Sequence, residues 1–262
     1  MEPVATMREG TTAPRRPGAS QVVFGLTMLG LGILMLQKGG FLAIWSGVPK
    51  DMPLRMAFAY LCAALCVGSG LGLLVRRTAA IAARVLLGLL VLWMLCFRLN
   101  LVFRAPNDPS VWWACGETAF MIGTAWVLAI GNGRGFDSSG KSLRIARALF
   151  AFGLIQFGIG HFTFLQRTVS MVPGWLPGHL GWAWFTGGSL IAAGVAIVVG
   201  VFARLAAGLS ALELALFTLL VWGPVVVAHP DAGQWNEFVD SCLLTIAAWV
   251  VAESWRGTRV ER

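Results

Sequence analysis

Ionisable side chains inside long apolar runs are costly and are presumed functional first. Glu213, in Leu209-Ser-Ala-Leu-Glu213-Leu-Ala-Leu, lies about eight residues, roughly 12 Å, inside its run, too deep for a short acid to reach water. It is therefore protonated, faces a polar cavity, or pairs with a base such as Arg84 or Arg204. A proton-relay or ligand role stands beside those readings. A second group lies toward one end of the last four apolar runs: His161, His179 and His229, the only histidines of the chain, with Glu237 and Asp240. Imidazole titrates near neutral pH, so histidine with carboxylate can bind a metal or exchange protons with a quinone. No HxxxH or HxH spacing occurs, so no preformed metal site is expected. In the first part of the chain Arg55 takes the place of His179 and Glu117 that of Asp240, with Arg98 and Asp108 nearby. Buried charges pair, so an Arg98 to Glu117 ion pair between two helices is expected. The ligand-binding or proton-relay candidates are His161, His179, Glu213, Asp240, Glu117 and Arg98.

Two other patterns carry less. Gly135-Phe-Asp-Ser-Ser-Gly140-Lys141-Ser142 fits the phosphate-binding loop letter for letter, but that loop needs a strand before it and an α/β sheet around it, whereas apolar helices flank this one. No nucleotide is expected there. The five cysteines, at 62, 66, 96, 115 and 242, have neither CxxC nor zinc-finger spacing. Cys62 and Cys66 lie one helical turn apart and read as small packing residues, while Cys115 and Cys242 are a conceivable thiol pair.

The elements that carry these residues are set by composition. Of 262 residues, 57% are hydrophobic and 12% charged, about half the charge of an ordinary soluble domain, which excludes a soluble enzyme. A bilayer core about 30 Å thick needs roughly 20 apolar residues per helix. Eight runs qualify: 21–37, 54–75, 79–103, 111–131, 147–166, 180–201, 203–228 and 235–252. The third and fourth are the weakest, because Arg84, Arg98 and Glu117 interrupt them. Starting inside, 14 of the 20 Lys and Arg fall on the side of the termini, so both termini are expected in the cytoplasm of a bacterial inner membrane. The net charge of +8 then reports topology, and no nucleic-acid partner is expected. The expected fold is an all-α polytopic membrane protein whose first partner is the lipid bilayer.

The sequence also repeats. Phe24-Gly25-Leu26 returns as Phe152-Gly153-Leu154 at a shift of 128, Val48-Pro49 as Val172-Pro173 at 124, and Ala125-Trp126 as Ala248-Trp249 at 123. Four helices per half keep both halves in one orientation, which predicts a parallel repeat. The expected organisation is a disordered arm at 1–20, a four-helix half at 21–131, a linker at 132–146, a second half at 147–253 and a tail at 254–262. The glycines of Gly68-Ser-Gly70-Leu-Gly72, Gly158-Ile-Gly160 and Gly187-Gly188 read as close helix contacts.

Phe152-Gly-Leu-Ile-Gln-Phe-Gly-Ile-Gly160-His161-Phe, followed by Val172-Pro-Gly-Trp-Leu-Pro-Gly-His179 and a Gly- and Ala-rich helix ending before Ala203-Arg204, resembles the DoxX family. The resemblance covers 147–253 and reaches the first half through the repeat. It implies four-helix membrane units and association with quinone-linked or thiol-redox membrane complexes, with redox proteins as partners and a quinone as the possible cofactor. It transfers no catalytic motif. A non-enzymatic scaffold or assembly factor, and a small-solute transporter, are the alternatives.

Overall fold

A computed structural model describes residues 18–133 and 140–255, in which every regular element is helical. The tails at 1–17 and 256–262 and the linker segment 134–139 lie outside the described residues. Eight helices are long and apolar enough to cross a membrane: α1 Ala19–Lys38, α2 Arg55–Leu74, α3 Ala79–Arg104, α4 Pro109–Asn132, α5 Gly140–Thr163, α6 His179–Val199, α7 Ala203–Ala228 and α8 Ala232–Glu253. In lipid a helix satisfies its own backbone, which makes this the expected solution for such runs. The chain is an all-α polytopic membrane protein. Leu61, Ile81, Leu92, Leu205 and Leu219 face outward, as lipid-facing residues should.

Three boundaries move. Helix α1 begins inside the expected arm, at Ala19. Helix α5 begins at Gly140, so its first two turns occupy what reads as linker. Ser254 and Trp255 are docked rather than free: Arg147 donates from Nε to Ser254 Oγ (3.0 Å) and from Nη2 to Ser254 O (2.8 Å), and its guanidinium lies 3.8 Å over the Trp255 ring.

Consecutive helices pack side by side from α1 to α8, α8 closes the ring against α1, and α4 meets α8 across the middle. Lys38 Nζ donates to Ala232 O at one end of the α1–α8 pair (2.6 Å), and Ser20 Oγ donates to Glu253 at the other, so the described chain starts and finishes at the same end of the bundle. Helix α4 is enclosed on all sides because Cys115, Gly116, Thr118, Ala119, Gly123 and Ala125 are small enough to admit neighbours everywhere.

Two pairs of helices share particular features. Helices α3 and α7 each comprise 15 α-helical residues, a five-residue π-helical turn (Met94–Arg98, Thr218–Trp222) and six more α-helical residues. Helices α4 and α8 each begin on an aspartate cap. Asp108 Oδ1 accepts from Ser110 N (2.9 Å), and Asp231 Oδ1 accepts from Gly233 N (2.7 Å) and Gln234 N (3.0 Å). A Cβ on Gly32 would meet Val67 Cγ2, Ala63 O and Val67 N, and one on Gly158 would meet Ile191 Cγ1, Gly187 O and Ile191 N. These two close contacts lie 126 positions apart, where the Phe-Gly-Leu strings lie 128 apart. Of the other glycines expected at contacts, Gly70, Gly72, Gly160 and Gly187 sit against neighbours, while Gly68 and Gly188 face open space.

The Asp108 cap yields a pH prediction, since this residue lies between the spans. Hydrogen bonds from the Ser110 hydroxyl and backbone N–H hold its carboxyl below the ordinary Asp value. A lowered folded value stabilises fully above the unfolded Asp range, about 3.9, and the contribution is lost as pH falls through the folded value. Protection of the 110–112 amides, measured against their intrinsic exchange rates, is expected to fall only in that acidic range, and Asp108→Asn to remove the dependence. Protection in the parent protein that stays constant through that range would contradict the assignment.

Candidate functional site

Glu117 and Asp240 each lie eight residues, about 12 Å, into their helices, α4 and α8. Equal depth and the central α4–α8 contact bring their carboxyl groups beside each other. Two carboxylates side by side out of water repel, an arrangement that favours one proton shared between them. Glu117 Oε1 and Asp240 Oδ1 are buried without any partner.

Arg98, the last residue of the α3 π-turn, supplies the opposite charge. It is 2% exposed. Its Nε donates to Thr118 Oγ1 (3.0 Å), and its Nη2 donates to Ile44 O (3.0 Å) and Ser46 Oγ (3.4 Å). The expected Arg98 to Glu117 ion pair therefore takes another form. The guanidinium hydrogen bonds to the residue after Glu117 and to the α1–α2 loop, and acts on Glu117 and Asp240 through its field. Gly47, with φ at +88°, lets the loop close over it, since a Cβ there would come within 2.8 Å of Nη1. Glu237, half-buried one turn before Asp240, adds its charge to the pair. On the other side of α8, Thr218 of the α7 π-turn shares hydrogen bonds with Ser241 (2.7 Å) and Thr245 (2.8 Å). A polar core of one arginine, an acid pair and four hydroxyls thus runs along the α4–α8 contact.

The other candidates stay apart from that bond network. His161 donates from Nδ1 to Phe157 O (2.8 Å), and its ring stacks between Trp113 (6.5 Å) and Phe217 (5.7 Å). His179 opens α6 and His229 follows the end of α7, so the histidines do not assemble a cluster. Among the described residues no group of three His, Cys, Asp or Glu is placed to hold a metal. Glu213 is held by Ser189 of α6, whose hydroxyl lies 2.8 and 2.9 Å from the two carboxyl oxygens, and this is the partner that takes the place of Arg84 or Arg204. Cys62 and Cys66 are buried packing residues. Cys115 and Cys242 are free thiols, and Cys115 Sγ donates to Met94 Sδ (3.6 Å). Lys141 and Ser142 lie in the first turn of α5, where Ser142 Oγ accepts from Trp126 Nε1 (3.0 Å); Gly135 to Ser139 lie outside the described residues.

Thr118, Ser241, Thr218, Thr245 and Ser189 are site residues that sequence reasoning missed. One signal was present: a hydroxyl follows each acid, in Glu117-Thr118 and Asp240-Ser241. Fold and site together define a class, a polytopic helical membrane protein with an acid pair and a buried arginine at its centre. Comparison with protein-family models, curated proteins and solved structures found no match to this chain.

Proposed function

We propose that this chain is a DoxX-like, proton-exchanging subunit of a quinone-linked membrane redox system, built from two parallel four-helix repeats in a bacterial inner membrane with both termini cytoplasmic. The observation that carries the reading is the Glu117–Asp240 pair: two acids side by side inside the helix bundle, each with a buried oxygen that has no partner, beside a buried arginine. A quinone that gains electrons from a redox partner protein must also gain protons. The acid pair is a buried donor for them, and Arg98 balances the charge left behind. The shared division of α3 and α7 and the matched glycine contacts support the repeat, and the excess of Lys and Arg on the side of the termini supports the orientation.

Infrared difference spectroscopy of the reconstituted protein tests the proton role. A carbonyl-stretch band of a protonated buried acid is expected, removed by Asp240→Asn or Glu117→Gln and displaced when a short-chain quinone is added. An absent band, or one that the quinone leaves unmoved, overturns the reading. A small-solute transporter is the second reading, because Glu117 belongs to the first four helices and Asp240 to the last four, and parallel-repeat carriers bind substrate between their halves. Proton-dependent solute uptake into vesicles, lost in Asp240→Asn, would favour it instead.

A further inference from the structure

The ends of the two four-helix units remote from the termini differ. In the first, the loop between α1 and α2 is packed down: Ile44 and Trp45 are fully buried, Val48 nearly so, and Arg98 reaches up to Ile44 O and Ser46. Trp45 stands edge-on to Trp93, with ring centroids 5.0 Å apart. The first unit therefore fills this end with an indole of its own.

In the second unit, the register of 124 that relates α3 to α7 places Trp222 at Arg98, Met171 at Gly47 and Val169 at Trp45. Each exchange works against closure. Trp222 has no guanidinium to draw the loop down, Met171 is poorly suited to the left-handed backbone of Gly47, and Val169 brings no ring. The connection instead forms the helix Leu165–Met171, none of whose residues is buried. Between it and the end of α7 lies a cleft of about 500 Å³, lined by Ser170, Met171, Trp175, Trp222, Val225 and Gln234 among others. That volume, and walls that are mostly apolar with a few polar groups, are those of a small-molecule site.

We propose that this cleft binds the flat ring of an uncharged, membrane-soluble amphiphile. The lining residues include no charged side chain, which disfavours an ionic head group. Trp175, 69% exposed, and Trp222 offer indole faces, the Gln234 amide can donate and accept, and Ser170 Oγ, which donates to Arg167 O (2.7 Å), keeps its lone pairs for a hydroxyl. The first unit is the precedent, since it places an indole at its corresponding end. Trp222 stands one turn beyond Thr218, which is bonded to Ser241 beside Asp240, and Gln234 lies six residues, about 9 Å, from Asp240 along α8. The cleft thus lies one to two helical turns from the polar core. The location rests on the repeat; the identity of the ring as a quinone rests on the proposed function.

Binding of three probes with the same ten-carbon chain to the full-length protein in nanodiscs tests this: decylubiquinone, decanol and decyl phosphate. Saturable binding of decylubiquinone is expected, about tenfold tighter than either control. Trp222→Ala should weaken it about tenfold, and Gln234→Leu, which leaves packing intact, about threefold. Equal binding of decanol would reduce the cleft to lipid-filled space, and equal binding of decyl phosphate would make the head group irrelevant; either overturns the proposal. So does unchanged affinity in both variants. The infrared band of the acid pair reports separately on the proton role, so the two readings fail independently.

Discussion

Arg98→Met is expected to cost about 3–5 kcal/mol of stability, the range for removing one partner of a buried charge pair. The variant keeps most of the side-chain volume but leaves the acid pair without the positive charge beside it, and Ile44 O, Ser46 and Thr118 without their donor. Denaturant titration in detergent micelles checks the value. Arg98→Lys should recover only part of the loss, because an ammonium restores the charge without the fork that reaches both Thr118 and the loop. Combining Arg98→Met with Asp240→Asn should cost less than the sum of the two, by about 1–3 kcal/mol, since both act on one network. Strict additivity would mean that Arg98 and the acid pair do not sense each other.

Gly123→Val is expected to be among the most disruptive changes on the helix-packed surface of α4, at about 3 kcal/mol. A Cβ at Gly123 would come within 2.4 Å of Ala146 O and 2.7 Å of Phe150 N. Both are backbone atoms, so no rotamer change relieves the contact, and α4 and α5 must move apart. Gly131→Ala, in the same helix with nothing within 4 Å of its would-be Cβ, should be neutral or slightly stabilising. Thermal unfolding of the two variants in one detergent separates close packing from helix propensity. Similar losses at both positions would remove the special standing of the α4–α5 contact.

The eight spans were legible because hydropathy records what lipid requires of a helix, and most boundaries fall within two or three residues of the expectation. Gly140 to Ala146 were not, because Lys141 and Arg144 give the start of α5 the composition of a loop. The match of Glu117 to Asp240 was legible as a shift of 123, yet their meeting was not: residues matched by a repeat touch only where the two units pair helix with like helix, and nothing in a string of letters places α4 against α8. The histidines illustrate the converse. A common depth along the chain suggested a cluster, but His161 turns between Trp113 and Phe217 while His179 and His229 lie at separate helix ends. The Phe-Gly-Leu strings recur at a shift of 128, whereas the glycine contacts of α1 with α2 and of α5 with α6 recur at 126, because glycine spacing rather than letter identity sets how these helices meet.

The π-turns in α3 and α7 bear on how this architecture tolerates change. Such a turn stores one residue more than the α-helix needs, so every side chain beyond it points about 100° away from where an uninterrupted helix would aim it. Arg98 and Trp222 close these turns, and each owes its inward direction to the surplus residue. Regularising the turn at unchanged length would swing the only buried guanidinium among the described residues out of the core, whereas a single deletion between 94 and 98 would let a plain α-helix aim it as now, so the orientation of the polar core is encoded in a residue count rather than in any one side chain.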